Sequence, residues 1–137
     1  MTHDDALMKK GLRVRTAVLG REHVRNSFTR GDEYTRTIAE VTTRVAWGMV
    51  WSRPGLSRKY RSLLNLGALI ALGAGEELRV HIRGALRNGL TRREIAEAII
   101  HCAMYAGFPR AAEARRAMAE VFADIDRKRR VAPPKRR

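Results

Sequence analysis

Apolar residues recur every three or four positions along most of the chain, the spacing that places side chains on one face of an α-helix. Strict alternation of apolar and polar residues, which is typical of a half-buried strand, is not convincing anywhere. Glycine and proline residues divide the helical pattern into successive segments. The sequence therefore predicts an all-α fold, a compact bundle of about six helices.

In the first half of the chain the pattern predicts two helices separated by a loop. Residues 4–19 form a patchy helix interrupted by Gly11, and the polar passage 23–31 is expected to be a loop with a short helical turn. Residues 32–51 carry a regular apolar row that consists of Tyr34, Ile38, Val41, Val45 and Met49. A helix is therefore predicted there, and the turn dipeptide Pro54–Gly55 follows it.

Two further helices are predicted in the middle of the chain. Residues 57–72 begin at Ser57, which is a good helix cap, and are apolar around most of the helix circumference. They are expected to form the most buried helix. The next helix covers residues 76–87 and ends at Asn88–Gly89, where the chain can adopt the left-handed conformation.

The last part of the chain predicts two helices and a tail. Thr91 and Glu94 form a capping box that begins a helix, and Gly107 ends it. A final helix follows, after which residues 127–137 lack an apolar row and contain two adjacent prolines. We therefore expect one helical domain over residues 1–126 and a basic, disordered tail over residues 127–137.

The charge of the chain suggests a polyanion partner, but its distribution weakens that interpretation. There are 28 Lys and Arg residues against 14 Asp and Glu residues, a formal net charge of +14. Seven of the basic residues lie in the tail, and no helix-turn-helix, RNA-binding aromatic motif or zinc-finger spacing accompanies them. We expect no specific nucleic-acid partner, and a basic, non-enzymatic binding scaffold is kept as an alternative.

The sequence also bears on the compartment. Cys102 is the one cysteine, so an internal disulfide cannot form, which is consistent with a reducing environment. The N-terminus lacks the apolar core of a secretory signal, and no apolar run reaches the roughly 18 residues that a bilayer span needs. A cytoplasmic protein without a membrane partner is expected.

Two histidines each follow a glutamate by four residues, so each pair lies on one helical face. Because imidazole binds or releases a proton near neutral pH, His81 beside Glu77 is a candidate acid. A half-buried helix residue with a surface ion-pair partner fits the spacing as well. Glu97, His101 and Tyr105 form a second row, which suits a pocket wall, a subunit contact or a margin of the bundle.

Residues 47–55, W-G-M-V-W-S-R-P-G, combine aromatic and basic side chains. Trp47 and Trp51 lie four residues apart on one helical face, and Arg53 follows in the turn. This combination suits an apolar pocket with an anchoring cation, to which Arg58 and Arg61 can add. Tryptophans in the core and arginines on the surface would explain the segment equally well.

Metal and thiol chemistry are not indicated by the spacing of the possible ligands. The histidines show neither H-x-x-x-H nor H-E-x-x-H spacing, and Cys102 has no second cysteine as a partner. We expect no metal site, and Cys102 is predicted to be a small core residue.

Four stretches are recognisable together: W-G-M-V-W-S-R-P-G-L, R-S-L-L-N-L-G-A-L-I-A-L, H-I-R-G-A-L-R-N-G-L-T-R-R-E-I-A-E-A-I-I-H and Y-A-G-F-P. They resemble the 4-carboxymuconolactone decarboxylase family, part of the AhpD-like superfamily, over about residues 11–122. The resemblance implies an all-helical homo-oligomer, such as a trimer or hexamer, with no cofactor or metal. The related peroxidases resemble C-x-x-C-x-x-x-H, but Ala74 and Glu77 stand where the cysteines would be, which excludes disulfide-based peroxide reduction.

The resemblance also implies a reaction, decarboxylation of a small carboxylated lactone. Such a reaction needs a cation for the carboxylates, a donor for the developing enolate oxygen and an acid for the returning proton. On this chain the carboxylate anchor would be Arg53, with Arg58 or Arg61, and the acid or oxyanion donor would be His81, oriented by Glu77. The other expected substrate-binding residues are Trp47, Met49, Trp51, His101 and Tyr105.

The chain departs from the typical pattern of the family at two positions. Thr37 and Met49 stand where typical members resemble F-N-x-(E/D)-F-Q and W-G-(E/D)-x-W. Both acidic positions are lost, so a more apolar pocket is expected. The departure motivates an alternative function, a cofactor-free lyase, isomerase or cyclase that acts on another carbonyl metabolite in a biosynthetic pathway.

Overall fold

The structure is a computed structural model that describes residues 2–131. Within that range it consists of seven α-helices and one π-helix and contains no strand, so the predicted all-α class is confirmed. The elements are α1 (His3–Leu19), α2 (Arg21–Thr29), α3 (Glu33–Thr42), the π-helix (Thr43–Trp51), α4 (Arg58–Leu72), α5 (Gly75–Arg87), α6 (Arg92–Ala106) and α7 (Phe108–Val131). None of these helices is long and apolar enough to cross a membrane.

Contacts between residues group the chain into two compact units. Unit 1 contains the chain up to Ser62 together with Gly84–Leu90, and unit 2 contains Leu63–Arg83 together with the chain from Thr91 onward. The expectation of one domain over residues 1–126 stays a prediction.

Unit 1 is built on close packing between α1 and the π-helix. A Cβ atom on Gly11 would lie 2.1 Å from the carbonyl oxygen of Thr43, and one on Gly48 would lie 2.5 Å from the carbonyl oxygen of Leu7. The prediction that Gly11 interrupts the first helix is wrong, because α1 continues through it. The absence of a side chain at Gly11 lets the two backbones approach each other. The buried apolar residues of unit 1 are Val14, Val18, Leu19, Val24, Ala39, Trp47, Ala85 and Leu90.

The loop predicted over residues 23–31 is also wrong, because residues 21–29 form α2. Gly20, at φ 90°, separates α1 from α2. Val24 is the one buried residue of α2, at 5% exposure. A helix that buries a single side chain has no apolar row, which is why the sequence pattern missed it.

The helix predicted over residues 32–51 begins as expected but changes its geometry. Asp32 caps α3 by accepting a hydrogen bond of 2.9 Å from the backbone N–H of Thr35. At Thr43 the α-helix becomes a π-helix, a rare conformation with i→i+5 hydrogen bonds. The predicted apolar row lies on an exposed face, with exposures of 70% for Tyr34, 67% for Ile38, 54% for Val41, 49% for Val45 and 52% for Met49.

Unit 2 has a core of aliphatic residues from the second half of the chain. Its buried members are Leu66, Ile70, Leu78, Ile82, Ile95, Ile99, Ala103, Ala111, Ala114, Ala117 and Val121. The prediction that residues 57–72 form the most buried helix is wrong, because Leu64 is 70% and Leu72 is 72% exposed. Although apolar residues lie around most of α4, part of the helix surface is therefore exposed.

The helix ends in this half agree with the sequence. Ser57 accepts a hydrogen bond of 3.2 Å from the backbone N–H of Tyr60, and Thr91 and Glu94 form the predicted capping box. Gly107 ends α6 at φ 90°. However, α7 continues to Val131, so residues 127–131 are helical and the predicted disorder is wrong there. The rest of the predicted tail, residues 132–137, lies outside the described residues.

Candidate functional site

Glu77 and His81 lie one turn apart on α5, in unit 2. Glu77 Oε2 and His81 Nε2 are 3.9 Å apart, which is longer than a hydrogen bond, so the contact is an ion pair only when the imidazole is protonated. The His81 side chain is 12% exposed and the Glu77 side chain 67%. The helix therefore carries a nearly buried imidazole beside an exposed carboxylate.

The other side of α5 is held by α7. Arg79 Nε donates a hydrogen bond of 2.6 Å to Glu120, and Arg83 Nη2 donates one of 2.8 Å to Asp124. The hydrogen bond from Arg79 holds the pKa of the Glu120 carboxyl below its usual range. Since residues two apart point to opposite sides of a helix, these pairs fix the rotation of α5 without using the face of His81.

The predicted row on α6 lies on an exposed surface of unit 2. The His101 and Tyr105 rings are 5.1 Å apart between centroids and tilted by 40°, and Tyr105 is 82% exposed. Ile100 at 60% and Met104 at 65% exposure extend this surface. His101 thus differs from His81, which is nearly buried.

In unit 1 the structure brings the two predicted tryptophans together. The Trp47 and Trp51 rings stack with their centroids 4.8 Å apart and an interplanar angle of 25°. Trp47 is 3% exposed, whereas Trp51 is half-buried. The prediction that they share one helical face is confirmed, and their geometry is that of a favourable stacked aromatic pair. Met49, between them in sequence, belongs instead to the exposed apolar row, at 52% exposure.

The predicted arginines of unit 1 have different environments. Arg53 and Arg58 are exposed, whereas Arg61 is half-buried. Arg61 Nη2 donates a hydrogen bond of 3.0 Å to the carbonyl oxygen of Arg53. Arg61 therefore fixes the turn that presents Arg53, in addition to any contact with a ligand.

A buried polar pair that the sequence pattern does not indicate is formed by Arg15 and Thr43. Arg15 is 7% exposed, Thr43 is fully buried, and Arg15 Nη1 donates a hydrogen bond of 2.9 Å to Thr43 Oγ1. The signal available in the sequence was the position of Arg15 between Val14 and Val18, which lie on the buried side of α1. Among 28 basic residues a single arginine does not stand out.

The described residues offer little for metal or thiol chemistry. Within residues 2–131, no group of three or more His, Cys, Asp or Glu side chains is arranged to hold a metal ion. Burial raises the pKa of the Cys102 thiol, which disfavours the reactive thiolate.

The chain is similar to several known proteins. Residues 36–120 match the family model described as the carboxymuconolactone decarboxylase family. The chain is 43% identical over 133 residues to 4-carboxymuconolactone decarboxylase of Acinetobacter baylyi, and the aligned stretch covers 97% of this chain and 96% of the relative. It is 49% identical over 108 residues to a nitrosuccinic acid decarboxylase of Metarhizium robertsii, covering 79% of this chain and 76% of the relative. An uncharacterized 15.0 kDa protein of Paracoccus denitrificans is 40% identical over 82 residues, 58% of this chain and 61% of the relative.

Proposed function

Because the chain belongs to the carboxymuconolactone decarboxylase family, we propose that it is a cofactor-independent decarboxylase that acts on a small carboxylated lactone. The observation that carries this proposal is the similarity, along nearly the whole chain, to a relative named 4-carboxymuconolactone decarboxylase. The second named relative is also a decarboxylase, so the reaction class rests on two proteins.

The proposed reaction conserves electrons and needs one proton. The bond between a ring carbon and the carboxylate breaks, CO2 leaves, and the bonding pair moves into the conjugated lactone carbonyl as an enolate. A proton then returns to carbon and regenerates the carbonyl. A donor near the enolate oxygen and an acid near the carbon are the groups that the protein has to supply.

We assign the acid or oxyanion-donor role to His81, with Glu77 as the residue that orients it. The support is that His81 is nearly buried, at 12% side-chain exposure, while Glu77 lies one turn away at 3.9 Å. A surrounding with little water strengthens electrostatic interactions and favours departure of a carboxylate as neutral CO2. The ion pairs from Arg79 and Arg83 to α7 keep the helix that carries His81 from rotating.

For the residues of unit 1 we propose substrate-binding roles. The stacked pair Trp47 and Trp51 supplies an apolar wall, and the exposed Arg53 binds a carboxylate, with Arg58 as a second cation. Arg61 supports this role through its hydrogen bond to the Arg53 carbonyl.

Met49, His101 and Tyr105 were also expected to bind substrate, and all three are exposed in the described chain. Their exposure favours a role at a subunit contact over a role as pocket wall. The same applies to Leu64 and Leu72 of α4, which are 70% and 72% exposed.

The decisive experiment is to incubate the purified protein with 4-carboxymuconolactone and measure CO2 release. His81→Gln keeps the size of the side chain but removes the titratable ring, and we expect it to lose about 100-fold or more in kcat. His3→Gln is the matched control, because it makes the same change at an exposed position of α1 that has no proposed role, and it should keep wild-type kcat. No turnover above background by the wild-type protein refutes the proposed substrate, and an active His81→Gln variant refutes the role of His81.

A second candidate substrate is favoured by the Metarhizium robertsii relative, whose name specifies nitrosuccinic acid. A nitro group and a conjugated carbonyl are both electron sinks that accept the pair left by CO2. The absence of acidic residues at positions 37 and 49, where Thr37 and Met49 stand, supports a substrate other than the lactone. It also supports the alternative of a lyase, isomerase or cyclase that acts on another carbonyl metabolite. CO2 release from nitrosuccinic acid, but not from the lactone, would select this candidate.

We further propose that the chain forms a homo-oligomer, a trimer or hexamer. The support is the exposed row of α3 and the π-helix, since monomers rarely expose contiguous apolar patches larger than a few hundred Å². Light scattering coupled to size-exclusion chromatography measures the mass directly. Ile38→Lys should lower it, whereas Ala17→Lys adds the same charge at an exposed position of α1 outside the row and should not. A wild-type protein that elutes as one chain contradicts the proposal.

We also propose a cytoplasmic location and no specific nucleic-acid partner. The location rests on the lone Cys102 of the sequence. Part of the basic charge at the end of α7 has a structural role, because Arg127 and Lys128 both pair with Asp124. Fractionation of cells and a gel-shift series across salt concentrations test the two statements.

A further inference from the structure

The backbones of α1 and the π-helix approach each other unusually closely at two points. Gly11 faces the carbonyl of Thr43, and Gly48 faces the carbonyl of Leu7, at distances that leave no room for a Cβ atom on either glycine. A change in helical pitch would rotate Gly48 away and turn Trp47 or Met49 toward α1. The π geometry and the positions of the glycines therefore depend on each other.

A chain of buried hydrogen bonds marks the residue where the π-helix begins. Arg15 Nη1 donates to Thr43 Oγ1 at 2.9 Å, and the Thr43 hydroxyl donates to the carbonyl oxygen of Ala39 at 2.6 Å. A hydroxyl has one hydrogen, so the Arg15 donor occupies an acceptor position and directs that hydrogen toward Ala39. Arg15 and Thr43 are both buried, so water does not compete for these bonds.

The guanidinium of Arg15 is held from a second side. It lies 5.8 Å from the ring centroid of Phe28 on α2, within the range of a cation–π contact. Two neighbours on different elements thus fix one cation, and that cation fixes the Thr43 hydroxyl. These contacts constrain the side chain of Thr43, the first residue of the π-helix.

The π-helix that starts at Thr43 carries the stacked tryptophans, Trp47 at its fifth residue and Trp51 at its last. We propose that Arg15, acting through Thr43, is a positioning residue that fixes the start of the π-helix and thereby the stacked Trp47–Trp51 pair. The link to catalysis rests on the proposed function, in which this pair forms a wall for the substrate. The placement of the two rings does not depend on that function.

The two tryptophans of the pair are the only tryptophans in the sequence, so the tryptophan signals of the protein report directly on the stacking of this pair. Stacked indoles give an exciton couplet in the circular dichroism spectrum, and Trp51→Phe should abolish it. Thr43→Val keeps the shape of the side chain but removes the hydroxyl, whereas Thr43→Ser keeps the hydroxyl. We expect Thr43→Val to lose the couplet and Thr43→Ser to retain it.

The same variants separate positioning from general destabilisation through kinetics. With a substrate that the wild-type protein decarboxylates, Thr43→Val should raise KM about tenfold and leave kcat within about twofold, because a displaced wall weakens binding of substrate and transition state alike. Thr43→Ser should keep both constants. An unchanged KM in a Thr43→Val variant that has lost the couplet refutes the link between the pair and the substrate.

Arg15→Met provides a second variant if Thr43→Val does not fold. It removes the buried charge and leaves an apolar chain of similar length in its place. Loss of the couplet in folded Arg15→Met supports the inference, and a retained couplet in folded Arg15→Met or Thr43→Val overturns it. Failure of the proposed decarboxylation leaves the couplet unaffected, so the two conclusions fail separately.

Discussion

Gly11→Ala is predicted to destabilise the protein although it lies in the interior of a helix. Alanine in place of a helical glycine normally stabilises by about 0.5–1 kcal/mol. Here the new Cβ would lie 2.1 Å from the Thr43 carbonyl oxygen, whereas ordinary contact begins at 3.4 Å, so the two backbones must separate by up to 1.3 Å (3.4 − 2.1). Overpacking of this kind costs about 1–3 kcal/mol, which offsets the helix gain and leaves a net loss of about 1 kcal/mol.

The matched control is Gly67→Ala in the middle of α4. There the nearest atom to a new Cβ is Cys102 Sγ at 3.7 Å, an ordinary contact, so this variant should gain about 0.5–1 kcal/mol. Urea unfolding followed by circular dichroism measures both, and with a slope of about 1–3 kcal/mol/M a loss of about 1 kcal/mol lowers the midpoint by roughly 0.5 M. A Gly11→Ala protein at least as stable as the wild type would show that α1 and the π-helix are not in backbone contact.

Three further predictions concern the second half of the chain. Hydrogen bonds from Lys128 and then Arg83 hold the pKa of the Asp124 carboxyl below its usual value. These bonds stabilise the folded protein fully above about pH 3.9, and the stabilisation is lost as pH falls through the lowered pKa. In a plot of the urea midpoint against pH, Asp124→Asn should therefore show a smaller decrease at acid pH than the wild type. Thr91→Ala removes the cap of α6 and should cost about 1 kcal/mol in unfolding experiments, whereas Thr91→Ser should cost little. A chain that ends at Val131 should keep the wild-type midpoint but elute from heparin at lower salt, and unchanged elution would show that residues 132–137 do not contribute to polyanion binding.

Local chemistry explains why the helix ends were predictable. A capping box is complete within four residues, so Thr91 and Glu94 specify the start of α6 without reference to the rest of the chain. Gly107 ends the same helix with a φ of 90°, which glycine adopts without strain. That the two tryptophans share one face was predictable for the same reason, since a separation of four residues is a property of one helix, although the stacking of their rings was not predicted.

Which apolar face is buried could not be predicted, because the pattern does not identify the surface that covers it. The row from Tyr34 to Met49 has the spacing of a core stripe, yet every member is about half exposed or more. In contrast, α2 has no row at all and still forms a helix around Val24. Tertiary contacts decide both cases, and they involve residues distant in sequence.

The change to a π-helix at Thr43 was not predictable either. The α and π forms differ by one residue in the hydrogen-bond step, and an apolar row is too coarse to distinguish them over nine residues. The partner that marks the change, Arg15, lies 28 residues earlier. Of the candidate site, the pairs within one helix, such as Glu77 and His81, were thus predictable from the sequence, but the contact between Arg15 and Thr43 was not.

The order in which unit 1 is completed follows from its last segment. Arg87 donates a hydrogen bond to the carbonyl oxygen of Val18, 69 residues earlier, at the end of α1. A Cβ atom on Gly84 would lie 3.0 Å from Val18 Cγ1, and Asn88 donates a hydrogen bond to the Ser62 hydroxyl, so residues 84–90 close the unit. At about 5–20 residues per second, a ribosome needs roughly 4–14 s to proceed from the end of α1 to residue 90. During synthesis α1 therefore emerges several seconds before residues 84–90, which pack against its end. The contacts of unit 1 can be completed only after the end of α5 has been synthesised.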